Sequence, residues 1–312
     1  MIENSIKNKK ILITGITGFV GYHLAKKLRL LGANVYGIAK SEGNKKILKV
    51  NMLDYSTIEQ FIREKKISIC YHLAAESLVE SGQKNPYHVF KVNTEGTLNI
   101  LEAARVNKLE KVIIASTSHV YGKSRVPYFE GYTPRPSRPY ETSKACADLI
   151  AQSYYQTFNL PVLIPRFINI YGPGDLNFQR LIPKTIKSVL AGSPPNMWGG
   201  RAIRDYLFID DAIEAYLLLA KINIKEIGEN RVFNFGSSNV ISVEDLIKKI
   251  IKITGKNLKI KKVSEKREGE IEAQYASFRK ATRMLKWEPK ISLDEGLKRT
   301  IAWYSKYIYN KR

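Results

Sequence analysis

The stretch that decides the fold is ILITGITGFVG, residues 11–21. The apolar run Ile11–Thr14 is typical of a buried strand, and glycines follow at positions 15, 18 and 21, before the helix-like segment HLAKKLRLLG. Glycine lets the backbone turn tightly and approach a pyrophosphate, which then lies at the positive N-terminus of the helix. This order of strand, glycine loop and helix predicts the first βαβ unit of a dinucleotide-binding fold.

Apolar runs alternate with amphipathic segments through the first half of the chain, a pattern typical of βαβ units and a parallel sheet. Nearly all-apolar strands predict burial on both faces of that sheet. The strand candidates are Ile11–Thr14, Asn34–Ile38, Lys46–Val50, Ile67–His72, Lys111–Ala115 and Pro161–Arg166. The helix candidates lie near residues 18–31, 56–65, 86–105 and 140–158.

Beyond residue 170 the alternation is looser, and glycine and proline at 172–174 and 192–195 mark loops. We predict an α/β fold with a Rossmann-type doubly wound parallel sheet over residues 1–170. A smaller C-terminal α/β lobe over 171–312 would close over the sheet's carboxyl edge, where ligands bind in such folds, and some strands and helices of the two parts would interchange. The C-terminal candidates are helices near 179–191, 210–221, 242–254 and 292–308, and strands near 205–209, 231–235 and 259–263.

Composition narrows the class of protein. The chain of 312 residues carries 51 basic and 29 acidic residues, a net charge of +22. Its lysines are spread along the whole chain without an aromatic-interleaved basic stripe, which favours a solvated surface over a nucleic-acid interface. The polar N-terminus and the lack of an apolar run of about 18 residues predict a cytoplasmic protein outside the membrane. Two cysteines, Cys70 and Cys146, exclude a disulfide scaffold.

The end of the second predicted strand is expected to select the cofactor. An acidic residue there would bind the ribose 2′-hydroxyl of NAD, whereas basic or hydroxyl residues would accept the 2′-phosphate of NADP. Here Ile38 is followed by Ala39, Lys40 and Ser41, with no carboxylate before Glu42. This favours NADP. NAD remains the alternative, because some enzymes hold it without that carboxylate.

A tyrosine and a lysine form the candidate catalytic pair. Tyr140 and Lys144 lie four residues apart in PYETSK and therefore share one face of the predicted helix. An ammonium group at that position favours the phenolate form of the tyrosine. Such a tyrosine can take the proton from a substrate hydroxyl while a hydride leaves the same carbon. The predicted strand over 111–115 ends in the hydroxyl-rich run Ser116 to His119, which indicates a site at the same sheet edge.

Several of these motifs together resemble the extended short-chain dehydrogenase/reductase family, and within it the nucleotide-sugar epimerase/dehydratase branch. The resemblance extends over nearly the whole chain. Because Tyr140, Lys144 and Thr117 are all present, a non-enzymatic cofactor sensor or nucleic-acid-binding protein is disfavoured. The matching stretches are the glycine loop TGITGFVG, ASTSHVYG, PYETSK, RFINIYGPGD, YHLAAES (71–77), VNTEGTLNILEAAR (92–105), RDYLFIDDA (204–212) and WEPKISLDEGLKRTIAWY (287–304).

The resemblance implies oxidation of an NDP-sugar at C4 by a tightly held nicotinamide cofactor. Thr117 would hydrogen-bond the C4 oxygen, Tyr140 would act as the base, and Lys144 would tune it and bind the nicotinamide ribose. An aspartate is usual where Asn51 stands. The cofactor residues so implied are Gly15, Thr17, Gly18, Phe19, Val20, Gly21, Lys40, Ser41, Asn51, Met52, Leu73, Ala74, Ala75, Asn93, Ser116, Tyr140, Lys144 and Phe167.

The resemblance also implies a nucleotide-sugar site and a homodimer. Arg204 would pair with the substrate diphosphate, because a guanidinium binds phosphate oxygens through two parallel hydrogen bonds. The segments near 86–105 and 140–158 resemble the helices of the family's dimer interface. An aspartate usual in the family is Ser277 here. The substrate residues so implied are Glu76, Ser77, Asn169, Arg180, Leu181, Trp198, Arg204 and Arg267, and no metal ligands are expected.

Ser118 and His119 occupy the two positions at which this branch differs between reactions. The family's dehydratases carry an acid/base pair there, which removes the C5 proton and expels the C6 hydroxyl, whereas C4 epimerases carry small, inert residues. Serine is compatible with a dehydratase and histidine is a departure, although a neutral imidazole can remove a proton near pH 7. Glu76 is the one nearby acid that family position suggests. A 4,6-dehydratase is the first choice, with a C4 epimerase and a C4 dehydrogenase or 4-keto reductase as alternatives.

Overall fold

The computed structural model describes residues 5–41, 43–77, 79–263 and 271–309. Its strands are β1 (Lys10–Thr14), β2 (Asn34–Ala39), β3 (Ile47–Lys49), β4 (Ile69–His72), β5 (Lys111–Ile114), β6 (Ser116–Thr117), β7 (Val162–Phe167), β8 (Asn169–Tyr171), β9 (Asn196–Trp198), β10 (Ile203–Phe208), β11 (Val232–Phe235), β12 (Val240–Ser242), β13 (Lys261–Val263) and β14 (Ala273–Gln274).

The helices cover both faces of the main sheet and most of the C-terminal part. They are α1 (Phe19–Leu30), α2 (Tyr55–Lys65), α3 (Val79–Lys84), α4 (Pro86–Phe90), α5 (Gly96–Val106), α6 (Pro139–Phe158), α7 (Leu181–Leu190), α8 (Ile209–Lys221), α9 (Ile224–Ile227), α10 (Val243–Ile253), α11 (Arg279–Leu285) and α12 (Leu293–Tyr309). A π-helical turn, Lys91–Glu95, joins α4 to α5, and a 3-10 turn, Ser118–Tyr121, follows β6.

The main sheet has eight strands, and all of their pairings are parallel. Their order is β11-β7-β5-β4-β1-β2-β3, with the short β6 also paired to β7. The order reverses between β1 and β4, which is the switch point where dinucleotides bind in such sheets. The expectation of a Rossmann-type parallel sheet is therefore confirmed. β11 also shows that a strand from the C-terminal part completes the main sheet.

Two hydrophobic cores lie on opposite faces of the sheet, as the alternation of side chains along a strand requires. In β1, Ile11 and Ile13 face the core that includes α1 and α8, while Leu12 between them faces the core that includes α2 and α5. All three are fully buried. Because helices cover both faces, the strands read as continuous apolar runs, which explains why they could be recognised in the sequence.

Two small sheets form the rest of the C-terminal part. β10 pairs with β12, β14 and β8, and β13 pairs with β9. β8 follows β7 after a single residue, so the chain passes directly from the carboxyl edge of the main sheet into the second sheet. None of the helices in the described ranges is long and apolar enough to cross a membrane.

The helix predicted over 86–105 differs from the structure in its middle. The π-helical turn at 91–95 interrupts it, and such widened turns recur at functional sites. The turn contains Asn93, which is fully buried and hydrogen-bonds to two other segments. No feature of the sequence periodicity signals this turn, because the apolar spacing continues through it.

Candidate active site

The glycine loop folds so tightly that it has no room for a side chain at Gly15 or Gly21. Gly15 has a φ of +70°, a left-handed conformation, and a Cβ there would lie 3.0 Å from the amide nitrogen of Ala74. A Cβ on Gly21 would lie 2.2 Å from the carbonyl oxygen of Gly15. The bare backbone and the N-terminus of α1 therefore form a cradle that fits a dinucleotide pyrophosphate. Val20 lies partly buried in the first turn of α1.

A cleft of about 690 Å³ lies between this loop and the segment 174–180. Thr17, Gly18 and Phe19 line it on one side, and Arg180 is among the residues on the other. Two contacts hold the segment in place. The ring nitrogen Nε2 of His23 in α1 lies 2.8 Å from the carbonyl oxygen of residue 173, and the hydroxyl of Tyr304 donates to the carbonyl oxygen of residue 175. The cleft joins the predicted cofactor loop to Arg180, one of the predicted substrate residues.

The end of β2 presents an ammonium group and a hydroxyl in place of a carboxylate. Ala39 is buried, whereas Lys40 and Ser41 are exposed. The Nζ of Lys40 lies 3.7 Å from an oxygen of Glu76, which follows β4. Glu76 also lies 3.5 Å from the Nε2 of His88, so its carboxylate faces two basic groups.

His72, the last residue of β4, locks the loop that follows. Thr14 Oγ1 accepts the amide protons of residues 73 and 74, so its own proton points to Nδ1 of His72, 2.8 Å away. The Nε2–H of His72 then donates to Thr97 Oγ1 at 3.1 Å, and Thr97 donates to the carbonyl oxygen of Asn93 at 2.6 Å. This chain of hydrogen bonds assigns the tautomer. It fixes the predicted cofactor wall of Leu73, Ala74 and Ala75.

Burial lowers the pKa of His72 to about 3, and the charge of Lys144 acts in the same direction. The imidazole is therefore neutral at physiological pH. It serves as a fixed donor and acceptor within the scaffold.

Asn93 connects the loop after β4 to α6, the helix that carries Tyr140 and Lys144. Its amide group accepts from the backbone N–H of Glu76 at 2.8 Å and donates to the carbonyl oxygen of Glu76 at 3.0 Å. It also donates to Ser143 Oγ at 2.9 Å. On the predicted adenine side, Met52 is buried, and Asn51 accepts a backbone N–H within its own turn at 3.1 Å.

The predicted catalytic residues meet at the carboxyl edge of the sheet. The hydroxyls of Thr117 and Tyr140 are hydrogen-bonded. Lys144 is 5% exposed and donates to the carbonyl oxygen of Ala115 at 2.5 Å. Burial raises the pKa of Tyr140, an effect that the positive charge of Arg180 and the bond to Thr117 oppose. Burial lowers the pKa of Lys144 to about 8.

Ser116, predicted to contact the cofactor, is hydrogen-bonded to a buried ion pair. Its hydroxyl donates to Asp148 at 2.6 Å, and Arg166 binds both oxygens of Asp148 at 2.8 Å. Asp148 also opposes the lowering of the Lys144 pKa. Asp148 was not predicted, although its spacing of four residues from Lys144 puts both on one helix face.

His119 lies beside Tyr140 and in front of a buried carboxylate. The two rings meet edge to face with centroids 6.3 Å apart. The Nδ1 of His119 lies 3.4 Å from an oxygen of Glu141, which is 1% exposed. The neighbouring Ser118 is buried. Glu141 was missed in the sequence, although it directly follows Tyr140.

The predicted substrate residues lie on the C-terminal side of this edge. Arg180 donates to Asp175 at 3.0 Å and to Ser77 at 3.4 Å, and its charge acts on Tyr140. Asn169 donates to the carbonyl oxygen of residue 205 at 3.2 Å. The remaining substrate residues are Leu181, at the start of α7; Arg204, which donates to the carbonyl oxygen of residue 203 at 2.8 Å; and Trp198, beneath the Nζ of Lys184 at 4.1 Å. Phe167, predicted to contact the cofactor, is stacked on Phe235. Arg267 lies outside the described residues.

A family model described as GDP-mannose 4,6 dehydratase matches residues 12–300. A dTDP-D-glucose 4,6-dehydratase of Dictyostelium discoideum is 36% identical over 275 residues, which cover 79% of this chain and 62% of that relative. The chain belongs to the NAD-dependent nucleotide-sugar epimerase/dehydratase family. It is therefore an enzyme of the extended short-chain dehydrogenase/reductase type, as its motifs predicted.

Solved structures of the family with both reactions superpose on this chain. A UDP-glucose 4-epimerase of Thermotoga maritima, solved with UDP-glucose, is 28% identical with a TM-score of 0.89, covering 96% of this chain and 99% of the epimerase. A dTDP-glucose 4,6-dehydratase of Bacillus anthracis, solved with NAD, is 26% identical with a TM-score of 0.83, covering 96% and 97%. Similarity alone therefore identifies the family and leaves the reaction open.

Within the family's fold, the chain differs from the expected dehydratase site in the position of its acid. The pair Ser118–His119 contains no carboxyl group, and the carboxylate of Glu76 faces Lys40 and His88. The carboxylate that approaches His119 comes instead from Glu141 in α6. The structure thus places a carboxylate beside His119 from a position at which the sequence pattern did not indicate one.

Proposed function

We propose that this protein is a nucleotide-sugar 4,6-dehydratase. The observation that carries this proposal is the imidazole of His119 beside Tyr140, with the carboxylate of Glu141 behind it. A C4 epimerase needs no acid/base group beyond the tyrosine, because it only returns the hydride to the other face of the ketone. A dehydratase needs one, because it must also move the C5 proton and release the C6 hydroxyl as water.

The reaction begins at the C4 hydroxyl of the hexose. Thr117 orients this hydroxyl, and Tyr140 removes its proton, with the Lys144 ammonium lowering the cost of the phenolate. The nicotinamide cofactor, which the cradle of the glycine loop fits, supplies the hydride chemistry. His119 acts after the oxidation, when the C4 ketone has made the C5 proton acidic.

The substrate is a nucleoside diphosphate hexose. Arg204 and Arg180 supply the positive charge that its diphosphate requires, and Asn169 supplies an amide beside them. Trp198 and Leu181 form part of the wall for the nucleoside. Arg267 completes this set in our proposal on the strength of its sequence position alone.

For the cofactor we propose a preference for NADP over NAD. The exposed Lys40 and Ser41 at the end of β2 offer a cation and a hydroxyl to a 2′-phosphate, and no carboxylate of β2 repels it. Dissociation constants for the two cofactors, measured by calorimetry, test this. NAD bound more tightly than NADP would contradict the preference.

We propose a homodimer formed through α5 and α6. Four large apolar side chains on these helices are 40–52% exposed, which supports this proposal. These residues are Leu98, Val106, Leu149 and Phe158. Light scattering should report the dimer mass, and a monomer at micromolar concentration would contradict the proposal.

The test of the reaction is incubation with a panel of GDP-, CDP-, UDP- and dTDP-hexoses, followed by mass spectrometry. A dehydratase yields a product lighter by one water, with no net reduction of the cofactor. An unchanged mass with inverted C4 would identify an epimerase, and a loss of two hydrogens with net reduction of the cofactor would identify a dehydrogenase. Tyr140→Phe should lower the rate of formation of every product by a factor of about 10²–10⁴ or more. Cofactor binding should persist in this variant.

A further inference from the structure

Glu141 is a buried carboxylate with few partners. It lies in the first turn of α6 and is 1% exposed. One oxygen lies 3.4 Å from Nδ1 of His119, and the other accepts from the backbone N–H of Ser137 at 3.3 Å and from its hydroxyl at 3.5 Å. A buried carboxylate is costly unless it is paired and hydrogen-bonded. These contacts therefore determine whether Glu141 carries a charge.

The charge of Glu141 follows from the groups that face it. Burial would raise the pKa of its carboxyl group. The hydrogen bond and charge of His119, the Ser137 amide and the charge of Arg138 outweigh burial and hold the pKa below its ordinary value. Glu141 is therefore ionised at neutral pH, and it can stabilise a positive charge on the imidazole next to it.

The carboxylate selects one arrangement of the His119 ring. Nδ1 points to Glu141, so in the neutral ring Nδ1 carries the proton and Nε2 keeps its lone pair. Among the hydrogen bonds identified in the described part of the chain, none involves Nε2 of His119. The side chain of His119 is 23% exposed, and its ring meets the ring of Tyr140 edge to face. The free nitrogen is therefore available to a sugar held by Tyr140.

We propose that Glu141 is a positioning residue that makes His119 both the base and the acid of the elimination step. This role rests on the proposed dehydratase function. It explains how a site without an acid in the 118–119 pair can release water, because one imidazole backed by a carboxylate does the work of two groups.

The step balances with these two residues. Nε2 of His119 takes the C5 proton of the 4-keto sugar, and the electron pair of that C–H bond becomes the C5–C6 double bond. The C6–O bond breaks, and its electron pair leaves with the oxygen. The imidazolium returns the proton to that oxygen, so water departs and His119 is neutral again. Glu141 remains ionised throughout and stabilises the imidazolium in between.

The experiment compares the parent holoenzyme with Glu141→Gln on the substrate found by the panel. Three quantities are measured: cofactor reduction in a single turnover, exchange of the C5 proton in deuterated water, and release of water. The proposal expects cofactor reduction near the parent rate and a loss of about 10²- to 10⁴-fold in both exchange and water release. Glu141→Asp should restore part of both, because it keeps the negative charge.

A matched control and a folding check accompany this comparison. Glu214→Gln removes a carboxylate on α8, where it pairs with Lys290 at 2.8 Å, and it should leave all three quantities unchanged. Urea midpoints show whether each variant is folded. If Glu141→Gln does not fold, Ser137→Ala takes its place. It removes the Ser137 hydroxyl that donates to Glu141, keeps the backbone N–H, and should slow exchange and water release without slowing oxidation.

The outcomes separate this proposal from the function on which it rests. If the parent enzyme releases no water from any sugar nucleotide, the dehydratase function is wrong, and the role of Glu141 fails with it. If the parent releases water and Glu141→Gln does so at the same rate, the function stands and the role of Glu141 is wrong. An equal slowing of oxidation and elimination would make Glu141 merely structural, which also overturns the proposal.

Discussion

Two histidines lie at neighbouring strand ends of the same sheet edge and have opposite surroundings. His72 ends β4 and pairs in register with Ile114 of β5, and His119 follows β6, which continues from β5. His72 is 1% exposed, and threonine hydroxyls bind both of its ring nitrogens. His119 is partly exposed and has a carboxylate at one nitrogen.

The difference shows how partners decide what a histidine can do. Neutral hydroxyls in a buried site satisfy the neutral ring and offer no countercharge to an imidazolium, so burial dominates and the pKa of His72 falls to about 3. A carboxylate oxygen 3.4 Å from Nδ1 of His119 offers the countercharge that an imidazolium formed during the reaction would need. One histidine is part of the scaffold and the other is part of the proposed chemistry.

Removing the imidazole of His119 should have the largest effect. His119→Ala is expected to lower the rate of water release by about 10²–10⁴-fold, because the elimination loses its acid and base, while Tyr140 still oxidises C4. Single-turnover cofactor reduction and product mass spectra measure the two steps separately. Water release at the parent rate would show that His119 is a bystander like His72.

Replacing His72 should change the response of stability to acid. The folded pKa of His72 lies near 3 and its unfolded value is 6.5, so the unfolded chain binds the extra proton between these values. Stability that is fully present above pH 6.5 therefore falls by about 1.4 kcal/mol per pH unit as the pH drops toward 3. His72→Gln keeps a donor and an acceptor but does not titrate. Its free energy of unfolding should fall about 2 kcal/mol less than the parent's between about pH 6.5 and pH 5.

The control for this measurement is Thr300→Val. It changes a fully buried side chain that carries no titratable group, and it should leave the difference in free energy of unfolding between the two pH values unchanged. Urea unfolding at both pH values gives the free energies. An acid response in His72→Gln as steep as in the parent would mean that His72 already carries a proton in the folded protein.

The strands could be predicted where burial on both faces of the sheet requires a continuous apolar run. β1, predicted as Ile11–Thr14, spans Lys10–Thr14. Amphipathic periodicity served for the helices, and the one predicted near 292–308 spans Leu293–Tyr309. Some short elements left no such signal. β9 has three residues and α11 has seven, and both are held by neighbours distant in sequence rather than by their own periodicity.

Tyr140 and Lys144 could be predicted as a pair, because residues four apart on a helix share one face. Thr117 could be recognised because it lies in the hydroxyl-rich run that follows a predicted strand. The contact between His119 and Glu141 joins residues 22 positions apart on different elements. It depends on how α6 packs against the 3-10 turn, which periodicity does not encode. The same holds for His72, whose two threonine partners lie 58 and 25 positions away.

The smallest expected effect concerns one hydrogen bond of the His72 network. Thr97→Val keeps the shape of a fully buried side chain and removes the acceptor of the His72 Nε2–H, which should cost about 1–3 kcal/mol in the free energy of unfolding. Thr300→Val is the matched control. Thr300 is equally buried, and its hydroxyl also donates to the carbonyl oxygen four residues earlier, at 2.6 Å. Unlike Thr97, it accepts none of the hydrogen bonds identified in the described part of the chain. The difference between the two variants in urea therefore isolates the orphaned N–H. Equal losses would show that the bond to Thr97 adds nothing to the locking of His72.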